Sequence, residues 1–229
     1  MKLLGLIGGV SPESTVIYYR LLNQAVRARL GGEHSANIVL YTLDYGTMIH
    51  HYDAGDWPSF IAEVVKGAEH LAAAGAEALV ISSNTTHVAA EAAQEATGLP
   101  LIHLLDALTD AMNSAGAKKP LLLGTPVVMG GDHYLPALAQ RYDGDVLVPT
   151  AEEQAEIGRI ILDELVKGEV LEPSRAALQA IIARHDADGV ILGCTELCMI
   201  LSQAHVAAPV FDTTALHAAA ASAYAFQGD

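Results

Sequence analysis

Short apolar runs alternate along this chain with longer stretches in which apolar residues return at helical spacing, the pattern of parallel βαβ units. Strands are predicted over 3–7, 38–43, 79–81, 101–102, 121–123, 146–148, 190–192 and 210–211. Helices are predicted over 13–29, 58–74, 86–96, 104–115, 130–140, 151–167, 174–185, 195–203 and 213–226. The stretch 46–56, with His50 and His51, reads as a polar loop.

The chain also repeats itself. Gly75-Ala76-Glu77-Ala78-Leu79-Val80-Ile81-Ser82-Ser83-Asn84-Thr85 aligns without a gap to Asp186-Ala187-Asp188-Gly189-Val190-Ile191-Leu192-Gly193-Cys194-Thr195-Glu196, an offset of 111 residues (83 to 194). Residues 4–8 match 120–124 at an offset of 116, and 99–102 match 208–211 at 109. Any two buried strand–helix junctions look somewhat alike, but three matches in the same order indicate a duplicated unit. Open parallel sheets bind ligands beyond the carboxyl ends of their strands, where helix N-termini leave N–H groups free. Two similar lobes facing each other would bring Ser83 and Cys194, each expected directly after its strand, to opposite sides of one cleft.

A length of 229 residues allows one large domain or two small ones. Just over half the residues are apolar but only 5% aromatic, so the core is built from Ala, Val, Leu and Ile, as in layered α/β proteins. Twelve Lys and Arg against 27 Asp and Glu give a formal charge of −15. That charge repels phosphate backbones and anionic lipid, which argues against nucleic acid and membrane as partners. A small anionic substrate would need local donors. Residues 1–10 are apolar enough to suggest a leader, but the lone Lys2, the missing small-residue cleavage site and Ser11-Pro12-Glu13 argue against export. With no apolar run of about 18 to 20 residues, a cytoplasmic protein is expected. Cys194 and Cys198, four apart, fit neither a disulfide framework nor a zinc quartet and are expected to be free thiols.

Cys194 is the leading candidate for chemistry. It follows a buried strand and precedes a predicted helix, where amide donors and the helix dipole would lower a thiol pKa from about 8.5. Gly193 before it and Thr195-Glu196 after it suggest an exposed strand end, whereas an inert packed cysteine is the reading for Cys198. Asn84, Thr85 and Thr86 form a turn able to cradle a carboxylate, and they are also ordinary helix-capping residues. Gly8-Gly9-Val10-Ser11-Pro12 is a second such nest, with Ser11 as its candidate ligand, but it lacks the third glycine of a dinucleotide fingerprint. His87 either polarises Ser83 or a substrate group, or is a buried hydrogen-bonded histidine. The ten histidines show no metal-binding spacing, so no metal is expected. Phosphate-loop and nucleophile-elbow motifs are absent, which disfavours ATP-driven and α/β-hydrolase chemistry.

Leu6-Ile7-Gly8-Gly9-Val10-Ser11-Pro12-Glu13-Ser14-Thr15, Gly31-Gly32-Glu33-His34-Ser35-Ala36, Gly55-Asp56-Trp57, Asn84-Thr85-Thr86-His87 and Gly193-Cys194-Thr195-Glu196-Leu197 together resemble the aspartate/glutamate racemases that work without pyridoxal phosphate. The likeness runs in order from end to end. It implies an α/β fold of two pseudo-symmetric Rossmann-like lobes, each with a parallel four-stranded sheet and with the active site in the cleft between them. The lobes would be 1–102 plus 212–229 and 103–211, exchanging the last helix of each half. The resemblance further implies a homodimer, an amino-acid substrate and no cofactor. Two thiols would flank the substrate Cα, one removing its proton while the other reprotonates the opposite face. The α-carboxylate would be held by Asn84, Thr85, Thr86, Thr125, Thr195 and Glu196, and the side-chain carboxylate by groups near Tyr52 and Lys167.

Three departures from the family pattern matter. Ser83 stands where the family's first cysteine falls, Pro126 replaces the arginine usual after Thr125, and Cys198 adds a second thiol near Cys194. A thiol switches between acid and base near neutral pH, whereas an aliphatic hydroxyl is a proton donor and a poor base. Some relatives with Thr at this position resemble L-specific racemases, so Ser83 is either a natural variant of that asymmetric type or an introduced replacement for cysteine. The expected function is racemisation of aspartate or glutamate, with Cys194 as base and Ser83 as proton donor. A one-cysteine decarboxylase or isomerase, and a binding protein that has lost turnover, are the alternatives.

Overall fold

The computed structural model describes residues 1–227. The chain divides into two compact units: Met1–Leu104 with the chain from His217 onward, and Leu105–Leu216. Each unit is a parallel sheet with helices, so the fold is α/β.

In the first unit, β1 (Leu4–Gly8) lies between β2 (Ile38–Thr42) and β3 (Ala78–Ile81), all parallel. Side chains alternate across the sheet. Leu4, Leu6, Ala78 and Val80 pack with Tyr18 and Leu22 of α1 (Pro12–Leu30) and with Ala218 and Ala221 of α10 (Thr213–Ala225). Ile7, Leu79 and Ile81 pack on the other face with Val64, Ala68 and Leu71 of α3 (Trp57–Ala73). The two inner strands are apolar at successive positions because both faces are covered. In the second unit β5 (Gly189–Leu192) lies between β4 (Pro120–Leu123) and β6 (Val210–Asp212), again parallel.

Each sheet has three strands, not the expected four. The missing strand is a single bridge in each case, Leu101 to Leu79 and Leu147 to Leu121. Ile102 donates to Leu79 O (3.0 Å) and Leu147 to Pro120 O (2.8 Å). The next donor on each segment would be residue 100 or residue 149, and both are proline, which has no N–H. With the bridges included, the two sheets share one order: 38–42, 4–8, 78–81, 101 against 147, 120–123, 189–192, 210–212.

Helix ends carry the chemistry that local sequence demands. Ser11 caps α1, accepting from the Ser14 N–H with Pro12 at the first turn, and Asp56 caps α3. The stretch 46–56 is not a loop: α2 (Tyr45–Asp53) occupies most of it, capped by Asp44, which accepts from the Thr47 N–H at 2.8 Å. The predicted helix 86–96 is a 3-10 turn (Thr85–Ala89) leading into α4 (Ala90–Thr97), and α5 (Leu104–Ala115) follows. The 130–140 prediction resolves into α6 (Pro126–Gly130) and α7 (Tyr134–Ala139), interrupted at Gly130-Gly131. α8 (Ala151–Arg159) runs on through a π turn (Ile160–Glu164) and a 3-10 turn (Leu165–Lys167), and α9 (Glu172–Ala183) precedes β5. Among the described residues no helix is long and apolar enough to cross a membrane.

His217 is wholly buried where α10 packs on the first unit. Its Nε2 lies 2.7 Å from the Ile102 carbonyl, which can only accept, so Nε2 carries the proton and Nδ1 accepts from the Tyr18 hydroxyl at 2.8 Å. Burial, with His87 adding to it, lowers its pKa to about 3. The folded pKa lies below the ordinary value of 6.5, so this neutral histidine contributes fully above that pH and its contribution is lost as pH falls from 6.5 towards 3. The loss approaches about 5 kcal/mol at the acid end, at 1.36 kcal/mol per unit. In thermal unfolding between pH 7 and 4, His217→Gln should flatten the fall of Tm with acidity. An unchanged pH slope would show that His217 does not drive it.

Candidate active site

In the first unit the ends of β1 and β3 are tied together. Ser82 donates twice to the Ile7 carbonyl, through N and Oγ, both at 2.9 Å, and Ser14 Oγ donates to Ser82 O at 3.3 Å. Gly9 has φ +99°, and a Cβ there would run into the Leu43 backbone, so only glycine fits. Its N–H donates to Thr15 Oγ1 at 2.8 Å, and Ser11 is engaged as the cap of α1. One donor of the Gly8-Gly9 turn, the Gly9 N–H, is therefore already satisfied within the loop.

Ser83 lies two residues past β3, not directly after it, and is 8% exposed. Its Oγ accepts from the Thr86 N–H at 3.4 Å, while its hydroxyl proton meets no acceptor among the described residues. Asn84 and Thr86 are buried and Thr85 partly so. Thr86 Oγ1 is buried with no hydrogen-bond partner. Buried hydroxyls are rarely left in this state, and one at a strand end points to a ligand. His87 does not reach the Ser83 hydroxyl: Nδ1 lies 2.7 Å from the Ser83 carbonyl and Nε2 is 3.2 Å from the Leu104 nitrogen. Of the two sequence readings, the buried hydrogen-bonded histidine is the one seen.

In the second unit Gly193 donates to Leu123 O at 2.6 Å, and a Cβ on it would sit 2.7 Å from Leu122 Cδ1 and 2.9 Å from Leu123 O. This close approach fixes where the chain leaves β5. Cys194 follows, again two residues past the strand and 8% exposed. The expected exposed thiol at a helix N-terminus is overturned. No α-helix follows at 195–203; the chain makes a 3-10 turn over Leu197–Met199, with bonds from Leu197 to Cys194 O and from Met199 to Glu196 O. No helix dipole is available to favour a thiolate. Instead Cys194 Sγ donates to Glu196 Oε2 at 3.0 Å, and Thr195 Oγ1 donates to the same oxygen at 2.8 Å. Burial pushes the Cys194 thiol well above its ordinary pKa, and the charge and acceptor oxygen of Glu196 push the same way. Both cysteines are free thiols. Cys198 donates to Thr195 O at 3.1 Å, and burial, with Asp212 and Glu196, raises its pKa to about 12.

The remaining expected residues are scattered within their units. Thr125 precedes α6 and its Oγ1 is buried without a partner. Tyr52 lies on α2 in edge-to-face contact with Trp57, ring centroids 6.0 Å apart. Lys167 stands exposed on the turn after α8. Sequence reasoning missed Thr214. It follows β6 at the start of α10, its Oγ1 is buried without a partner, and its N–H donates to Asp212 Oδ1 at 2.9 Å. The repeat matching 99–102 to 208–211 points at this third strand end, but Asp212-Thr213-Thr214 reads in sequence as a helix cap.

The profile of the Asp/Glu/Hydantoin racemase family matches residues 7–221. The chain belongs to that family. Its members include relatives of known structure: a candidate Asp/Glu racemase from Yersinia pestis is 40% identical, with 99% of this chain and 100% of that chain covered and a TM-score of 0.91. An aspartate racemase homologue from Pyrococcus horikoshii is 30% identical over 95% of this chain and 96% of its own, with a TM-score of 0.81. The broad-specificity amino-acid racemase RacX of Bacillus subtilis is 22% identical over 219 residues, 93% of each chain.

The Cys194–Glu196 contact makes a direct prediction. Glu196→Gln removes the negative charge that holds the thiol protonated, so in a Cys198→Ala background it should speed iodoacetamide alkylation of Cys194 at pH 8 by about ten-fold for each pKa unit released. Alkylation no faster than in the parent would mean that Glu196 does not set the thiol's protonation.

Proposed function

We propose that this protein racemises an acidic amino acid, aspartate or glutamate, without a cofactor and with the L form favoured. The reading is carried by Ser83 and Cys194, which occupy the same place two residues beyond corresponding strands of a repeated unit, as an unequal hydroxyl–thiol pair. Membership of the racemase family and the names of the relatives support the substrate class.

Cys194 rests as a thiol. It passes its proton to Glu196 Oε2, 3.0 Å away, and the thiolate takes the proton from Cα of the L substrate. The negative charge that develops spreads into the α-carboxylate. The buried, unpartnered hydroxyls of Thr86 and Thr125 are the donors assigned to it, with Asn84 and Thr85 preceding Thr86 in sequence and Thr195 following Cys194. Prearranged donors of this kind lower such barriers most. Ser83 then donates its hydroxyl proton to the opposite face of Cα; solvent returns a proton to the Ser83 oxygen and takes up the one held by Glu196, which, with the Cα proton now on Cys194, restores the resting state. A carbanion is basic enough to take a proton from a hydroxyl, but a resting hydroxyl is too weak a base to start from the D substrate. The cycle is therefore asymmetric.

Ser83 also suits a second reading, a one-thiol decarboxylase in which Cys194 protonates an enolate from a single face. Loss of CO₂ from a substituted malonate, without racemisation, would identify it.

Cα–H exchange in D₂O, followed by NMR with L- and D-aspartate and L- and D-glutamate supplied separately, tests the racemase. L substrate should exchange and invert, D substrate should exchange far more slowly, and Cys194→Ala should lose about 10²–10⁴-fold. Ser83→Ala should keep exchange of the L form while losing inversion, and Ser83→Cys should open the D to L direction. Binding without exchange of any enantiomer would end the racemase reading.

A further inference from the structure

The bonds around His87 determine which of its nitrogens carries the proton. The Leu104 N–H lies 3.2 Å from His87 Nε2, and a backbone N–H can only donate, so Nε2 is the bare nitrogen. The proton is therefore on Nδ1, which donates to the Ser83 carbonyl at 2.7 Å. Leu104 is the first residue of α5, and its N–H is one of the first-turn donors that no helical carbonyl reaches. An imidazolium here would turn a second N–H against that of Leu104 and place positive charge at a helix N-terminus, both unfavourable. The ring is buried, and it packs edge-on against His103 and His217, with centroids 4.9 and 5.3 Å away.

Ser83 is thus gripped by its own following turn at two atoms, Oγ by the Thr86 N–H at 3.4 Å and O by His87 at 2.7 Å. The second bond is the shorter, and both are buried. We propose that His87 is the positioning residue of Ser83. Its Nδ1–H fixes the plane of the peptide that follows Ser83, and with it the direction of the Cα–Cβ bond that carries Oγ, while Nε2 anchors the ring to the start of α5. In this role His87 acts through Ser83 rather than on the reacting atoms. The inference rests on the reading of Ser83 as the proton donor.

Because His87 holds the Ser83 carbonyl, its loss should separate two steps that are normally coupled. Removal of the Cα proton from the L substrate depends on Cys194, and inversion depends on Ser83. The ratio of inversion to Cα–H exchange, measured from L substrate in D₂O, therefore reads the Ser83 step by itself. His87→Asn keeps an amide N–H where Nδ1–H lies and loses the acceptor for Leu104. His87→Gln reaches the Nε2 position with an acceptor for Leu104 and loses the donor to Ser83. The ratio should fall about ten-fold in His87→Gln, the size of one lost buried hydrogen bond, and stay within about two-fold of the parent in His87→Asn. Thermal unfolding of both variants supplies the structural control.

A ratio that falls in both variants in step with Tm, or in neither, would overturn the positioning role. So would imidazole ¹⁵N shifts at pH 7 showing His87 as the Nε2–H tautomer or as imidazolium. Parent protein that exchanges neither enantiomer would instead sink the racemase reading, and the proposed role with it; that result is seen before any His87 variant is made.

Discussion

In each unit the site residues inherit their positions from one parallel strand pair, β1 with β3 and β4 with β5. These strands are buried on both faces and closely paired, so their carboxyl ends cannot shift without breaking the ladder or exposing apolar side chains. Ser82 bonded to Ile7, and Gly193 bonded to Leu123, carry that register one residue past the last strand positions. The next residue in each case is the one assigned the chemistry, Ser83 or Cys194. Gly193 is part of the constraint, since any side chain there would collide with Leu122 and the Leu123 carbonyl.

The polar groups at these strand ends are chosen against a difficult background. The chain carries a formal charge of −15, so its overall field does not attract a dicarboxylate. Donors for an anion would have to be local, and the Oγ1 atoms of Thr86, Thr125 and Thr214 are buried without a hydrogen-bond partner. Glu196 works in the other direction. Its carboxylate accepts from Cys194 and Thr195, and after burial, the larger cause, it raises the thiol's pKa further. A buried thiol held in this way has little thiolate character and reacts slowly. Helix dipoles have no part in this, because the chain after Cys194 forms only a short 3-10 turn.

Two histidines of the first unit, His87 and His217, are structural in a specific sense. His87 and His217 are buried, and each bridges one donor and one acceptor, which only a neutral ring can do. The two have opposite tautomers, each set by a backbone group that can only donate or only accept. Both bind main chain within 102–104, where the first unit gives way to α5.

The α/β class, the positions of most helices and the equivalent places of Ser83 and Cys194 after their own strands were legible from the sequence, because hydrophobic period and internal repetition are one-dimensional signals. α5 is read at its observed limits for that reason. α2 was missed because its apolar face is short and its start is marked by one residue, Asp44, whose capping bond to Thr47 is local but easily read as a turn. The fourth strands shrank to single bridges where Pro100 and Pro149 withhold a donor, a consequence that appears only once the partner strand is known. The state of Cys194 was beyond the sequence altogether. Its pKa depends on burial and on which way the Glu196 carboxylate turns, and the neighbouring residues that suggested a dipole-activated thiol enclose a protonated one instead. Sequence order determined which residue types arrive together at the strand ends. Their protonation, their hydrogen bonds and their access to water were decided by tertiary packing, because desolvation and hydrogen-bond direction depend on neighbours in space, not along the chain.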